Sequence, residues 1–305
     1  RLALEQAPGA FLSKEETAMR YGALEGGGTK MVLAVADENM NILTRESIPT
    51  TLPEETMERM IAFFRENPVD ALGVGCFGPL DLNPASPTYG YITKTPKLAW
   101  RDYPLLPEFE KALGVPCAID TDVNAAVLCE AEMGAARGLK NCVYVTIGTG
   151  IGGGVYCEGN LVHGLMHPEL GHFLLSPHPD DPMPQGICPY HGSCLEGLAS
   201  GPAIEKRWGK SAKELPPDHP AWALEAHYLA QMCVAALMIL SPEKIVLGGG
   251  VMGQKHLFPM IRKETLRLLN GYLCCVENLD DVIVPPACFP DSGLLGSLLL
   301  AKKAL

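Results

Sequence analysis

Four side chains of metal-ligand type fall within one short stretch: His172, Cys188, His191 and Cys194, the last three inside Cys188-Pro189-Tyr190-His191-Gly192-Ser193-Cys194. Two thiols and two imidazoles can close a tetrahedral zinc site, and the two-residue gaps on either side of His191 let one tight knuckle supply three ligands. Gly186 and Gly192 would help it turn. A closed site has no use for carboxylates, yet Glu169 and Glu196 flank the ligands, so metal and substrate chemistry share this segment. Chance proximity is the bland alternative in a chain with 11 cysteines and 8 histidines, and the compact C-x-x-H-x-x-C core argues against it. A nucleic-acid zinc finger fits less well, because the segment carries no basic cluster and the formal net charge is −11.

Two glycine-rich turns could serve phosphate chemistry: Glu25-Gly26-Gly27-Gly28-Thr29-Lys30 and Thr146-Ile147-Gly148-Thr149-Gly150-Ile151-Gly152-Gly153-Gly154. Each lies between apolar runs of strand type, as two copies of one strand-turn-strand device would. Glycines there let backbone N–H groups converge on a phosphate, although for either run taken alone a plain hairpin turn is the better reading. Neither has P-loop spacing or a dinucleotide fingerprint. A third cluster, Gly248-Gly249-Gly250, follows the buried-strand run 244–247. Between these lies a candidate base. Residues 115–119 read as a short strand, Asp120-Thr121-Asp122 ends it, and 123–136 reads as an alanine-rich helix. Asp122 is thereby held where a strand C-terminus meets a helix N-terminus, which is where open α/β sheets place ligands. The helix end is expected to keep it ionised and able to take a proton. The alternative makes Asp120 or Asp122 a helix N-cap.

The elements that must position these groups belong to an α/β chain. At 305 residues and 47% hydrophobic content, the length suffices for two domains with a proper core, and no run reads as suited to a membrane span. Irregularly spaced cysteines, several in apolar runs, indicate a reducing, cytoplasmic setting rather than a disulfide framework. The acidic balance excludes nucleic acid and acidic membrane as natural partners. Residues 1–18 lack the apolar core of a signal peptide and read as an extension outside the fold.

Six co-linear motifs carry a resemblance. The first glycine turn, Phe77-Gly78-Pro79-Leu80-Asp81, Asp120-Thr121-Asp122-Val123-Asn124-Ala125, the second glycine turn, His167-Pro168-Glu169-Leu170-Gly171-His172 and the Cys-Pro-Tyr-His-Gly-Ser-Cys run resemble ROK-family bacterial sugar kinases, above all the fructokinase branch. The match runs from about residue 20 to the C-terminus. It implies an actin-like (ribonuclease H-like) ATPase fold of two α/β domains with the active-site cleft between them. The small domain is expected over 19–121 plus 293–305, and the large one over 122–292 with the zinc-binding loop. By the same resemblance Asp122 is the catalytic base. Gly27, Gly28, Thr29, Lys30, Thr149 and Gly150 hold phosphate, and Gly248, Gly249 and Gly250 lie near adenine. Gly78, Pro79, Thr121, Asp122, Glu169, His172 and Glu196 bind the sugar, while His172, Cys188, His191 and Cys194 bind structural zinc. Thr121, His167 and Pro168 stand where the glucokinase branch carries other residues, which favours fructose. The implied reaction is transfer from ATP, with Mg²⁺, to D-fructose, giving fructose 6-phosphate, by a homodimer. Mannose, glucose or N-acetylmannosamine are the alternative substrates. A sugar-responsive transcriptional regulator is the alternative of another class, disfavoured because 18 residues before Met19 are too few for a helix-turn-helix domain.

Overall fold

The computed structural model describes residues 18–273 and 276–305, so the extension expected over 1–18 lies almost wholly outside the described residues. The first half begins with an antiparallel meander of β1 (Tyr21–Gly26), β2 (Lys30–Ala36) and β3 (Ile42–Pro49), followed by α1 (Pro53–Glu66) and β4 (Ala71–Cys76). It ends with α2 (Leu105–Leu113), β5 (Cys117–Thr121) and α3 (Asp122–Glu132). The second half repeats the plan: β6 (Cys142–Ile147), β7 (Ile151–Cys157), β8 (Asn160–Leu161), α4 (Leu195–Ala199), α5 (Gly201–Trp208) and α6 (Ala221–Leu240). Then come β9 (Lys244–Gly248), α7 (Leu257–Leu269), β10 (Ile283–Val284) and α8 (Ser292–Lys303).

The sheets have the orders β3-β2-β1-β4-β5 and β8-β7-β6-β9-β10, and in each the first three strands are antiparallel and the last two join in parallel. The same topology therefore occurs twice, with a glycine turn between the first two strands of each copy. Central strands are buried on both faces and read as continuous apolar runs; β2 and β4 are buried at nearly every position. The edge strand β3 is mostly exposed and carries Arg45 and Glu46, charges of the kind that blunt an open edge.

Local rules account for the helices. α1 has Pro53 in its first turn, Glu54 and Glu55 beside it, Arg65 at its end, and a buried stripe of Met57, Met60, Phe63 and Phe64. Fully burying each such side chain contributes roughly 1.5–3 kcal/mol. α6 is 20 residues long and, contrary to the sequence expectation, apolar enough to cross a membrane by length and composition. It is a core helix here, burying Trp222, Leu229, Met232 and Cys233 in the second domain, as expected of a helix apolar all round. Between the sheets, α3 packs on β6 and β7, α8 packs on β1 and β4, and the two helices pack on each other. The nine described cysteines are all free thiols.

Candidate active site

Asp122 sits at the joint of β5 and α3. The strand expected over 115–119 runs instead over Cys117–Thr121, and the helix expected to reach Ala136 stops at Glu132. The helix cap is Thr121, whose Oγ1 accepts the Asn124 N–H at 3.1 Å, the usual duty of a hydroxyl at this position. This overturns the capping alternative for Asp120 and Asp122, and it commits the oxygen of Thr121, expected among the sugar contacts, to the helix. Asp120 is also occupied: its Oδ1 accepts from the Thr121 N–H and the Asn124 amide, and its Oδ2 faces His163 Nε2 at 2.9 Å. Asp122 accepts the Val123 N–H at 3.0 Å and lines a cavity. Burial pushes its pKa up to about 6. The expectation that the helix N-terminus would dominate is thus corrected, because loss of hydration outweighs the favourable backbone dipoles. The group remains mostly ionised at neutral pH and is a stronger base than an exposed aspartate.

The cavity, about 190 Å³, lies where the two domains meet. Asp122 and Val123 come from α3, Glu25 from β1, Tyr144 and Thr146 from β6, Gly249 from just past β9, and Phe289, Pro290, Ser292 and Gly293 from the entry to α8. Burial, and then the charge of Asp122, raises Glu25 to about 7; Asp291 adds to this and Lys30 and Arg45 oppose it. A second hollow of about 560 Å³ shares Gly249 and Phe289 and is walled by Gly248, Met252, Phe258, Arg262 and Pro286. Gly249 has φ +88° and touches both spaces, a conformation that favours glycine. Gly250 is exposed and opens the next turn.

The two glycine turns act less directly than their composition suggests. The Gly27 N–H donates to Lys30 O at 2.9 Å, which closes the β1–β2 hairpin. In the second turn the Gly148 N–H donates to Gly150 O at 2.9 Å and Thr149 is exposed. Gly27, Gly28, Thr29, Lys30, Thr149 and Gly150 line neither hollow; the strand ends beside them, Glu25 and Thr146, do.

Three carboxylates approach from three elements. Glu169 precedes a single 3₁₀ turn, Leu170–His172, so it does not share a helix face with His172 as a longer helix would arrange. Burial, and then the charges of Glu196 and Asp122, raises Glu169 to about 7. Glu196 lies in the first turn of α4, where its Oε2 accepts the Ile151 N–H at 3.0 Å at the exit of the second glycine turn. Gly78 and Pro79 follow β4 in a turn held by the Phe77 N–H, which donates to Gly26 O at 2.8 Å.

The four predicted metal ligands come together. One ligand atom from each of His172, Cys188, His191 and Cys194 lies within 4.8 Å of all the others. Cys188 Sγ is 3.8 Å from His172 Nδ1 and 3.7 Å from His191 Nδ1, and Cys194 Sγ is 3.7 Å from His172 Nδ1. Bond lengths of about 2.3 Å to sulfur and 2.0–2.1 Å to nitrogen make the edge of a zinc tetrahedron about 3.6 Å, so the donor set fits that ion. Burial pushes the Cys194 thiol up to about 11, so loading a metal there would release its proton.

Two features escape sequence reasoning. Glu25 heads the first glycine turn but shows no role until β1 places it beside Asp122. Glu130 is wholly buried and accepts from the N–H groups of Ala135 (2.7 Å), Ala287 (3.0 Å) and Cys288 (3.0 Å) and from Ser292 Oγ (2.8 Å). It thereby ties the far end of α3 to the segment that enters the cavity, and one of two glutamates near the end of an alanine-rich helix carries no signal of that.

Two α/β domains of repeated strand order, with a carboxylate-lined cavity where they meet, define the actin-like class of ATPase fold. The ROK family matches residues 21–304, and the chain belongs to it. It is 49% identical over 287 residues to a putative fructokinase of Bacillus subtilis, covering 93% of this chain and 96% of that protein. A fructokinase of Pediococcus pentosaceus is 47% identical over 287 residues, covering 94% and 99%. The crystal structure of a ROK hexokinase from Thermus thermophilus superposes with a TM-score of 0.76 at 28% identity, covering 93% of this chain and 98% of that one.

Proposed function

We propose that this enzyme is an ATP-dependent fructokinase, converting D-fructose to fructose 6-phosphate. The sugar assignment rests on the two fructokinase relatives at 47% and 49% identity, which span nearly the whole chain. The chemistry rests on one observation: the Asp122 carboxylate, relieved of capping duty by Thr121, lines the cavity between the domains. Asp122 takes the proton from the sugar 6-hydroxyl as that oxygen attacks the γ-phosphorus, and the bond from phosphorus to the bridging oxygen of ADP breaks in line. Such transfer needs mainly positioning and charge stabilisation. Adenine fits the larger hollow beside Gly248 and Gly249, with Arg262 at its wall, and the phosphates reach the smaller cavity past Thr146. Glu169, His172 and Glu196, with the Gly78-Pro79 turn, grip the sugar.

Mg²⁺ accompanying ATP would supply neutralising charge, and Glu25, raised by burial and by Asp122, is the carboxylate best placed to gain from it. Zinc held by His172, Cys188, His191 and Cys194 would supply rigidity alone, since four protein ligands leave no open position. His172 turns Nδ1 to the other ligands and keeps Nε2 for the sugar, so a loop-ordering metal also orients a substrate contact. We read the domains as 19–121 with 293–305, and 122–292, and the assembly as a homodimer.

The deciding experiment is a coupled assay of ADP release with fructose, mannose, glucose and N-acetylmannosamine at equal concentrations. Fructose is expected to exceed glucose in kcat/KM by more than about tenfold, the scale of at least one lost hydrogen bond. Equal efficiency on both sugars would reduce the assignment to a general hexokinase, and no ADP release with any of them would remove it.

A further inference from the structure

The segment between β8 and the Leu170–His172 turn reaches across to the first domain through two histidines, the half-exposed His163, which faces Asp120 at 2.9 Å, and the buried ring of His167. His167 is 4% exposed, and its Nε2 accepts the backbone N–H of Leu80 at 3.0 Å, a bond between residues 87 apart in the chain. The contact is close on the Gly78 side as well, where a Cβ would stand 3.3 Å from His167 Cε1. Because Leu80 donates, Nε2 carries no proton, and burial lowers the pKa of the ring and keeps it neutral. The ring proton therefore sits on Nδ1. That nitrogen lies 3.5 Å from both Pro168 O and Glu169 Oε1.

Both sides of this bridge are independently held. On the first-domain side, Pro79 O accepts the Thr93 N–H at 2.8 Å and the Thr93 hydroxyl at 3.0 Å. On the other, Glu169 leads into His172, whose Nδ1 joins the Cys188, His191 and Cys194 cluster. His167 is thus a rigid spacer between two anchored groups, the Gly78-Pro79 turn and Glu169, and neither group lines the two hollows assigned to ATP.

We propose that His167 is a positioning residue for the sugar: its ring sets the separation between the Gly78-Pro79 turn and Glu169, and so governs sugar affinity without acting on ATP. The inference rests on the sugar site proposed above and adds a residue to it. Removing the acceptor while keeping the volume leaves the Leu80 N–H buried without a partner, and the turn shifts to find one.

The test compares wild type, His167→Phe and His167→Gln with the hexose that the wild type phosphorylates best. KM for sugar and for ATP are read separately, alongside melting temperature and sugar titration by calorimetry. His167→Phe is expected to raise sugar KM about tenfold with ATP KM changed by less than about twofold. His167→Gln, whose side-chain oxygen can accept the Leu80 N–H, is expected to return sugar KM to within about threefold of wild type. If His167→Phe does not fold, His167→Met against His167→Gln gives the same comparison, equal in length and unequal as acceptors. An equal rise in both KM values, an unchanged sugar KM, or a glutamine variant no better than the apolar one would overturn the proposal. A wild type that prefers a sugar other than fructose would overturn the substrate reading and leave this one standing, whereas a wild type that phosphorylates no hexose removes both.

Discussion

At the scale of residues, the site turns on which side chain caps α3. A hydroxyl in Thr121 satisfies the helix N-terminus, so the Asp122 carboxylate keeps the cavity, and an Asp cap would have consumed it. Asp122→Asn is therefore expected to lower kcat by about 10²- to 10⁴-fold while sugar binding persists; a variant keeping more than half of wild-type kcat would assign the proton to another group. The base acts as its anion, so kcat/KM should fall as pH drops through about 6. The linked stability effect has the opposite sign to that of a paired carboxylate. The folded state holds a proton that an ordinary carboxyl near 3.8 has lost, so this group favours folding increasingly as pH falls from about 6 towards 4. At pH 8, Asp122→Asn should accordingly leave the melting temperature unchanged or raised. Asp122 was legible in sequence because strand, carboxylate and helix adjoin there. The cap was not, because aspartate ranks above threonine at a helix N-terminus and Asp120 and Asp122 flank the residue that takes the position. The pKa was not legible, since it depends on how Glu25 and α8 close over the site.

At the scale of elements, the metal loop shows what spacing can and cannot reveal. Three ligands lie within seven residues and identify themselves, whereas His172 is 16 residues from Cys188 and is joined only through the fold. The chain from Phe173 to Cys194 has no helix of its own and is tied by backbone bridges at Leu174 with Cys194 and Cys188 with Gly192. A connection this long in a compact domain needs a staple. Purified protein prepared without chelator is expected to hold close to one zinc per chain by elemental analysis, and chelation should lower both melting temperature and activity. Zinc should restore them and excess Mg²⁺ should not. Cys188→Ala should raise sugar KM, through Glu169, His172 and Glu196, while changing ATP KM much less. Zinc-free protein of full activity, or an unchanged sugar KM in the variant, would reduce the cluster to coincidence.

At the scale of the molecule, two copies of one strand order meet through a pair of helices. The repeat was visible in sequence as two glycine turns, each between strand-like runs; the helix contact was not, because alanines and glycines carry no obvious polarity. The closest approach is at Gly296 of α8, where a Cβ would stand 1.8 Å from Ala125 O of α3, the helix that carries Asp122. Helix propensity alone favours alanine over glycine in a helix interior by about 1 kcal/mol. Packing demands the reverse, since a methyl group there must push α3 off α8, and overpacking of this kind costs about 1–3 kcal/mol. The sign of the change therefore separates the two effects. Gly296→Ala is expected to lower unfolding free energy by about 2 kcal/mol in urea titration and to reduce kcat, because α3 moves relative to the cavity lined by Glu25, Thr146 and Ser292. Unlike the metal-loop and His167 variants, it should disturb sugar and ATP alike, because the smaller cavity and the pairing of the Gly78-Pro79 turn with Glu169 through His167 both draw residues from the two domains. A Gly296→Ala enzyme that is more stable than wild type and equally active would mean that the helices have slack, and that the domains do not depend on this contact for their spacing.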